Sequence, residues 1–259
     1  MRTVNSADGT PIAYRTEGVG PVVVFVNGAL SAADDASGLA AAVAAEGFTA
    51  VSWDRRARGD SGDVRGSTPE REAEDLAAVI GAAGGDAIVL GHSSGAVLAL
   101  FAASLGVPMR ALFLSEPPLR FGEAEPADDL SDRLQALVDE GRHEDAVELF
   151  QLEGIELPRD MVDGMRASGA LAAIAPLAQS TVYDQNLVRQ VSTPTAEMLS
   201  VSQPVTVIRG EQTFPMLMTA ADRLADEMGA DLVIVPESVM HRPDPAATAR
   251  VVRERAPQD

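Results

Sequence analysis

Continuous runs of β-branched residues alternating with Ala-rich stretches constrain the fold of this chain more than any other feature. Residues 22–26, Val-Val-Val-Phe-Val, form an unbroken apolar run of the kind buried on both faces of a parallel sheet. Residues 34–46 then read as a helix that stops at Gly47. The alternation recurs as strand 49–53, helix 69–83 entered from Thr68, strand 87–90, helix 94–105 and strand 111–114. Ahead of it, residues 3–5 and 12–15 flank Asp8-Gly9-Thr10-Pro11 and predict a short hairpin. The rhythm specifies an α/β fold, a mostly parallel central sheet with helices on both faces.

At residue 120 the alternation stops. Residues 120–202 read as several helices broken by Pro126, Pro158, Pro176 and Pro194, with no strand among them. Strand 205–209, helix 219–228, strand 232–235 and a last helix over 244–254 then resume the earlier pattern. The expected organisation is one core domain, residues 1–119 with 203–259, interrupted by a helical insertion, residues 120–202. A length of 259 residues suits one such domain.

Composition removes several function classes. The chain has no cysteine, which excludes disulfides, thiolate metal sites and a Cys nucleophile. Its basic residues are all arginine, so Schiff-base chemistry on a lysine is excluded too. A formal charge of -19 repels polyanions and argues against a nucleic-acid partner. The apolar runs are strand-length and far too short to cross a bilayer. The first eight residues have no apolar segment of a secretory leader. The expectations are a cytoplasmic protein with no membrane and no nucleic-acid partner; a homodimer stays open.

The chemistry centres on Gly91-His92-Ser93-Ser94-Gly95, a G-x-S-x-G turn placed after a buried strand and opening a helix. Such a turn forces its serine into a strained backbone, and only small neighbours let adjacent chain pass close by. It exposes the Ser93 hydroxyl at the carboxyl end of the sheet and aims the Ser94 N–H, at a helix start, toward a developing oxyanion.

With this turn in that setting, the chain resembles the α/β-hydrolase family over nearly its whole length. Asn27-Gly28-Ala29 follows strand 22–26 where the family usually carries His-Gly-X, so the resemblance makes the Ala29 N–H the second oxyanion donor, with Asn27 in place of the usual His. The run from Asp54 to Gly62, Asp-Arg-Arg-Ala-Arg-Gly-Asp-Ser-Gly, is similar to the family's Asp-x-Arg-Gly-x-Gly-x-Ser turn and reads as structural. The family's general base is a histidine ahead of the last helix, which selects His241 over His92 and His143. In the expected turn geometry His92 points away from the reacting side.

The acid has two candidate places. The commoner family position, after strand 205–209, reads Gly210-Glu211-Gln212-Thr213, and Thr213 cannot act as a carboxylate. The other follows strand 111–114, where Glu116 stands in Ser115-Glu116-Pro117-Pro118. Glu116 is the preferred acid, with Glu211 open. The insertion matches the family's helical cap in position. Its candidate pocket residues are Phe121, Phe150, Met161, Met165, Leu177 and Tyr183, which as readily pack a core of their own. Asp184 reads either as a polar pocket contact or as a helix cap.

The resemblance implies a serine hydrolase with Ser93, His241 and Glu116 as catalytic residues and Ala29 and Ser94 as oxyanion donors. Asn27, Gly28, Tyr183 and Phe121 are the candidate substrate contacts. Neither a metal nor a cofactor is expected, and the partner is a small-molecule ester, lactone or thioester. Other serine-based reactions on the same fold and a non-catalytic binding scaffold are the alternatives.

Overall fold

A computed structural model describes residues 1–123 and 127–257, so Pro126, an expected helix breaker, lies outside the described residues. The chain opens with β1 (Arg2–Asn5) and β2 (Pro11–Gly18), joined by a turn in which Asp8 accepts the Thr10 N–H at 2.9 Å. β3 (Val22–Val26) leads through a 3-10 turn at Ala33–Ala36 into α1 (Ser37–Ala45). Then follow β4 (Thr49–Trp53), α2 (Pro69–Ala82), β5 (Ala87–His92), α3 (Ser94–Ser104) and β6 (Ala111–Ser115). Thr68 caps α2 as its sequence suggests, its side chain accepting the Arg71 N–H ahead of a proline in the first turn.

The insertion between β6 and β7 is helical. It contains α4 (Leu130–Asp139), α5 (His143–Leu149), a π-turn at Phe150–Gly154, α6 (Arg159–Ala167), α7 (Ala170–Ile174), α8 (Ala178–Val191) and α9 (Ala196–Leu199). β7 (Val205–Gln212), α10 (Pro215–Met228), β8 (Asp231–Val239) and α11 (Pro245–Arg255) complete the chain.

One 8-stranded sheet runs in the order β1-β2-β4-β3-β5-β6-β7-β8. β1, β2 and β4 pair antiparallel, and the pairs from β4 through β8 are parallel. One face packs against α2, α3 and α10 through residues such as Leu76, Leu98 and Leu224; the other packs against α1 and α11 through Val43 and Val252. α3 is buried on nearly every side, as expected of a helix that is apolar all round. The insertion keeps its own core, including Leu134, Val147 and Leu171, while Leu187 and Val191 of α8 join the core of the main domain. Among the described residues no helix is long and apolar enough to cross a membrane.

The structure shifts some element limits. Residues 34–46 are not one helix, because the Asp54 carboxylate takes the Ala33 N–H at 2.7 Å and holds a separate 3-10 turn ahead of α1. α10 begins at Pro215, a turn before the apolar pattern starts. β7 and β8 outrun their apolar stretches and stay paired, across an irregularity, as far as Gln212 and Val239.

The strand order reverses between β4-β3 and β5-β6, which opens a crevice at the carboxyl ends of β3 and β5, the usual ligand position in such sheets. Val26 is level with Gly91, and His92 with Ser115. The segments that follow these strands are therefore held side by side.

Candidate active site

Ser93 sits between β5 and α3 with φ 56 and ψ −130, a conformation costly for any residue with a side chain. Close packing demands the flanking glycines. A Cβ on Gly95 would overlap the Val26 carbonyl, and one on Gly28 would lie 2.7 Å from the Ser93 Cβ. Gly28 thus brings the loop after β3 directly against Ser93.

Glu116 follows β6 with φ 48 and is 3% exposed. Its Oε1 accepts the Gly210 N–H at 2.8 Å, and its Oε2 accepts the Thr213 hydroxyl at 2.9 Å and faces His241 Nδ1 at 2.5 Å. Burial alone would push this carboxyl up. The hydrogen bonds from His241, Gly210 and Thr213, with the nearby imidazole, outweigh it and hold Glu116 below the usual carboxylate range. With Nδ1 committed to the carboxylate, Nε2 is the ring nitrogen left for other chemistry.

His241 and the preceding Met240 also have positive φ, 62 and 51, and the Met240 N–H is tied to the Gln212 carbonyl at 2.7 Å. Ser93, Glu116 and His241 each lie just past a strand end in a strained conformation, a clustering typical of functional sites. They share one location: Ser93 and His241 line a single cavity of about 540 Å³, and Glu116 stands behind the imidazole.

His92 corrects an expectation. Its ring packs on the His241 ring with centroids 4.5 Å apart, and it also lines the cavity. The tight strand-to-helix turn, level with Ser115, brings His92 toward the loop that carries His241 rather than away from it. Burial, then the adjacent His241, pushes its pKa down to about 3. The unfolded chain therefore takes up this proton from near pH 6.5 downward, whereas the folded chain resists until about pH 3. The stability that depends on His92 staying neutral should be lost as pH falls through that window. Thermal melts between pH 7 and 4.5 should show a shallower decline for His92→Asn than for the native chain. Parallel curves would contradict the assignment.

Ala29, Gly28 and Ser94 line the cavity, as does Phe150 from the insertion. The other candidate contacts lie elsewhere. Tyr183 is buried in the insertion core, its hydroxyl donating to the Asp63 carboxylate at 2.9 Å, because α8 turns that face inward. Phe121 lies under the Arg223 guanidinium, 4.2 Å from the ring centre, and lines a separate cavity. Asn27 is spent on its own loop, its amide donating to the Ala32 carbonyl at 2.7 Å. Met161 is exposed and Met165 packs in the insertion. Glu211 is exposed on β7, and His143 is exposed at the start of α5.

The turn after β4 is structural, but not only that. Asp54 accepts the Ala33 and Asp60 N–H groups, and Arg56 pairs with Asp75 and Asp8. Arg55 and Arg58, however, reach the loop 27–29, and both pair with Asp184. Asp184 caps no helix: it is buried in the middle of α8 and borders the cavity. Sequence reasoning missed this group. The arginine run was visible, but its partner lies 126 positions along the chain from Arg58. Among the described residues, no group of three or more His, Asp or Glu side chains is placed to hold a metal ion.

Comparison with known proteins agrees with this architecture. An alpha/beta hydrolase from Sphaerobacter thermophilus DSM 20745 is similar at 41% identity, over 98% of this chain and 99% of that one, with a TM-score of 0.89. A thermophilic esterase from Thermogutta terrifontis, solved with malate bound, shares the fold at 19% identity, over 98% and 96% of the two chains, TM-score 0.72. The enol-lactonase from Burkholderia xenovorans LB400 does so at 19% identity, over 98% of each, TM-score 0.70. No curated protein sequence matches the chain. The model of the Alpha/beta hydrolase family matches residues 23–253, from β3 through the insertion into α11, and the chain belongs to that family.

Proposed function

We propose that the chain is a serine hydrolase that cleaves a carboxylic ester, lactone or thioester of a small to medium apolar substrate through an acyl-enzyme on Ser93. The observation that carries this reading is a strained serine at a helix start sharing one cavity with an imidazole whose Nδ1 is held by a buried carboxylate. Ser93 Oγ attacks the carbonyl carbon and its proton passes to His241 Nε2. The Ala29 and Ser94 N–H groups hold the oxyanion. The C–O or C–S bond then breaks, and His241 returns the proton to the leaving alcohol or thiol. Water repeats the sequence on the acyl-enzyme, releasing the acid. Glu116 orients His241 and stabilises the imidazolium.

The cavity volume suits a medium-sized ligand, and Phe150, Leu157, Val188, Phe214 and Met216 make its wall largely apolar. Three of these belong to the insertion, which in this reading is a cap that sets substrate choice. The esterase and the enol-lactonase among the structural neighbours are in keeping with ester or lactone chemistry. Hydrolysis of p-nitrophenyl esters from acetate to decanoate tests the proposal. Activity above background with an optimum at short to medium chains is expected, and none on any ester would contradict it. Gly28→Ala places a methyl group against Ser93 and should lower kcat by about 10²-fold with little change in KM. An unaltered kcat would mean that the loop after β3 has no part in the reaction.

A further inference from the structure

Two buried arginines hold the loop that follows β3. Arg58, 2% exposed, donates from Nη1 to the Gly28 carbonyl at 2.5 Å and to the Ser31 carbonyl at 3.0 Å. Arg55, 1% exposed, donates from Nη1 to the Asn27 carbonyl at 3.2 Å and pairs through its Nε with Glu72. Both guanidiniums converge on Asp184, Arg58 at 2.6 Å and Arg55 at 3.0 Å, and the Ser94 hydroxyl donates to the same carboxylate at 2.9 Å.

In a trans peptide the carbonyl and the following N–H point in opposite directions. No cis bond occurs among the described residues. A Gly28 carbonyl fixed on Arg58 therefore turns the Ala29 N–H away from that guanidinium, and an Asn27 carbonyl fixed on Arg55 sets the plane before it. Ser94, whose backbone N–H is the other proposed donor, is tied to the same carboxylate through its side chain. We infer that Asp184, carried by the helical insertion, is a positioning residue that sets the geometry of the oxyanion hole through Arg58, Arg55 and Ser94. The inference rests on the hydrolase reading above. It also couples the seat of the insertion to the rate of the chemical step, because α8 supplies the carboxylate to which both sides of the hole are tied.

The same turn contains its own control. Arg56 pairs with Asp75 in an equally buried contact, 1% and 0% exposed, and its recorded partners Asp75, Asp8 and the Arg71 carbonyl all lie outside the loop 27–29. Asp184→Asn and Asp75→Asn each remove one charge from a buried Arg–Asp pair, so both should lower the melting temperature. Their kinetics should differ. On p-nitrophenyl butyrate, below the melting point of either variant, Asp184→Asn should lose about 10- to 100-fold in kcat with KM within about threefold of native. Asp75→Asn should keep kcat within about twofold.

Arg58→Lys, which keeps the charge but cannot span the Gly28 carbonyl and Asp184 together, should also lower kcat. It carries the test if Asp184→Asn does not fold. An active native chain with equal kcat in the Asp184 and Asp75 variants overturns the positioning role and leaves the hydrolase reading standing. A native chain inactive on every ester overturns both.

Discussion

Ser93→Ala is expected to lower kcat for ester hydrolysis by about 10⁴-fold or more while leaving the melting temperature within a few degrees of native. The size of the loss follows from the chemistry: without Oγ no acyl-enzyme forms, and what survives is the contribution of the oxyanion donors and substrate binding. The fold should tolerate the change, because the substituted alanine would keep the backbone conformation that Ser93 already adopts at φ 56 and the hydroxyl borders a cavity rather than a packed core. Steady-state kinetics with thermal melts on the same preparations read both quantities. A Ser93→Ala protein that retains most of its activity would place the nucleophile elsewhere.

The second large effect concerns the acid. Glu116→Gln should cost about 10⁴-fold in kcat, and Glu211→Gln should cost nothing measurable. Glu116 accepts from His241 Nδ1, which leaves Nε2 free to take the serine proton. An amide at the same place can donate to Nδ1 instead, and the imidazole proton then resides on Nε2, the wrong nitrogen for a base. Because Glu116 is held below the usual carboxylate range, its protonation should limit the rate only at pH values below that range. Glu211 is exposed on β7. Equal losses in the two variants would remove the distinction between them.

The parts of this molecule that rest on periodicity or steric necessity were legible in the sequence. The apolar run at Val22–Val26 and the helix entered from Thr68 report their own burial and capping. Gly91, Gly95 and Gly28 mark places where backbone must approach backbone, so the turn around Ser93 and the loop opposite it were readable together. Glu116 was readable only as one of two choices, since in the sequence a carboxylate stands near the end of each of two strands and either was expected to reach the same imidazole. The structure supplies the reason for the odd residue at the other place: Thr213 donates to Glu116.

What could not be read depends on contacts between distant segments. Asp184 could be read as a pocket contact or a helix cap, but not as the partner of two arginines, because an acidic residue in the middle of a helix usually faces water. Its meaning comes from Arg55 and Arg58, brought to it by the seating of α8 on α2 and α3. Tyr183, its neighbour, points into the insertion instead, a one-residue difference that helical geometry turns into a different face. His92 was misjudged for a similar reason, because its surroundings come from a loop that follows β8.

The most direct test of the central claim is mass spectrometry of the protein after exposure to a fluorophosphonate that modifies activated serines. The account predicts one adduct, mapped to Ser93, absent from Ser93→Ala and formed far more slowly by His241→Ala. No adduct, or an adduct on another serine, would contradict it.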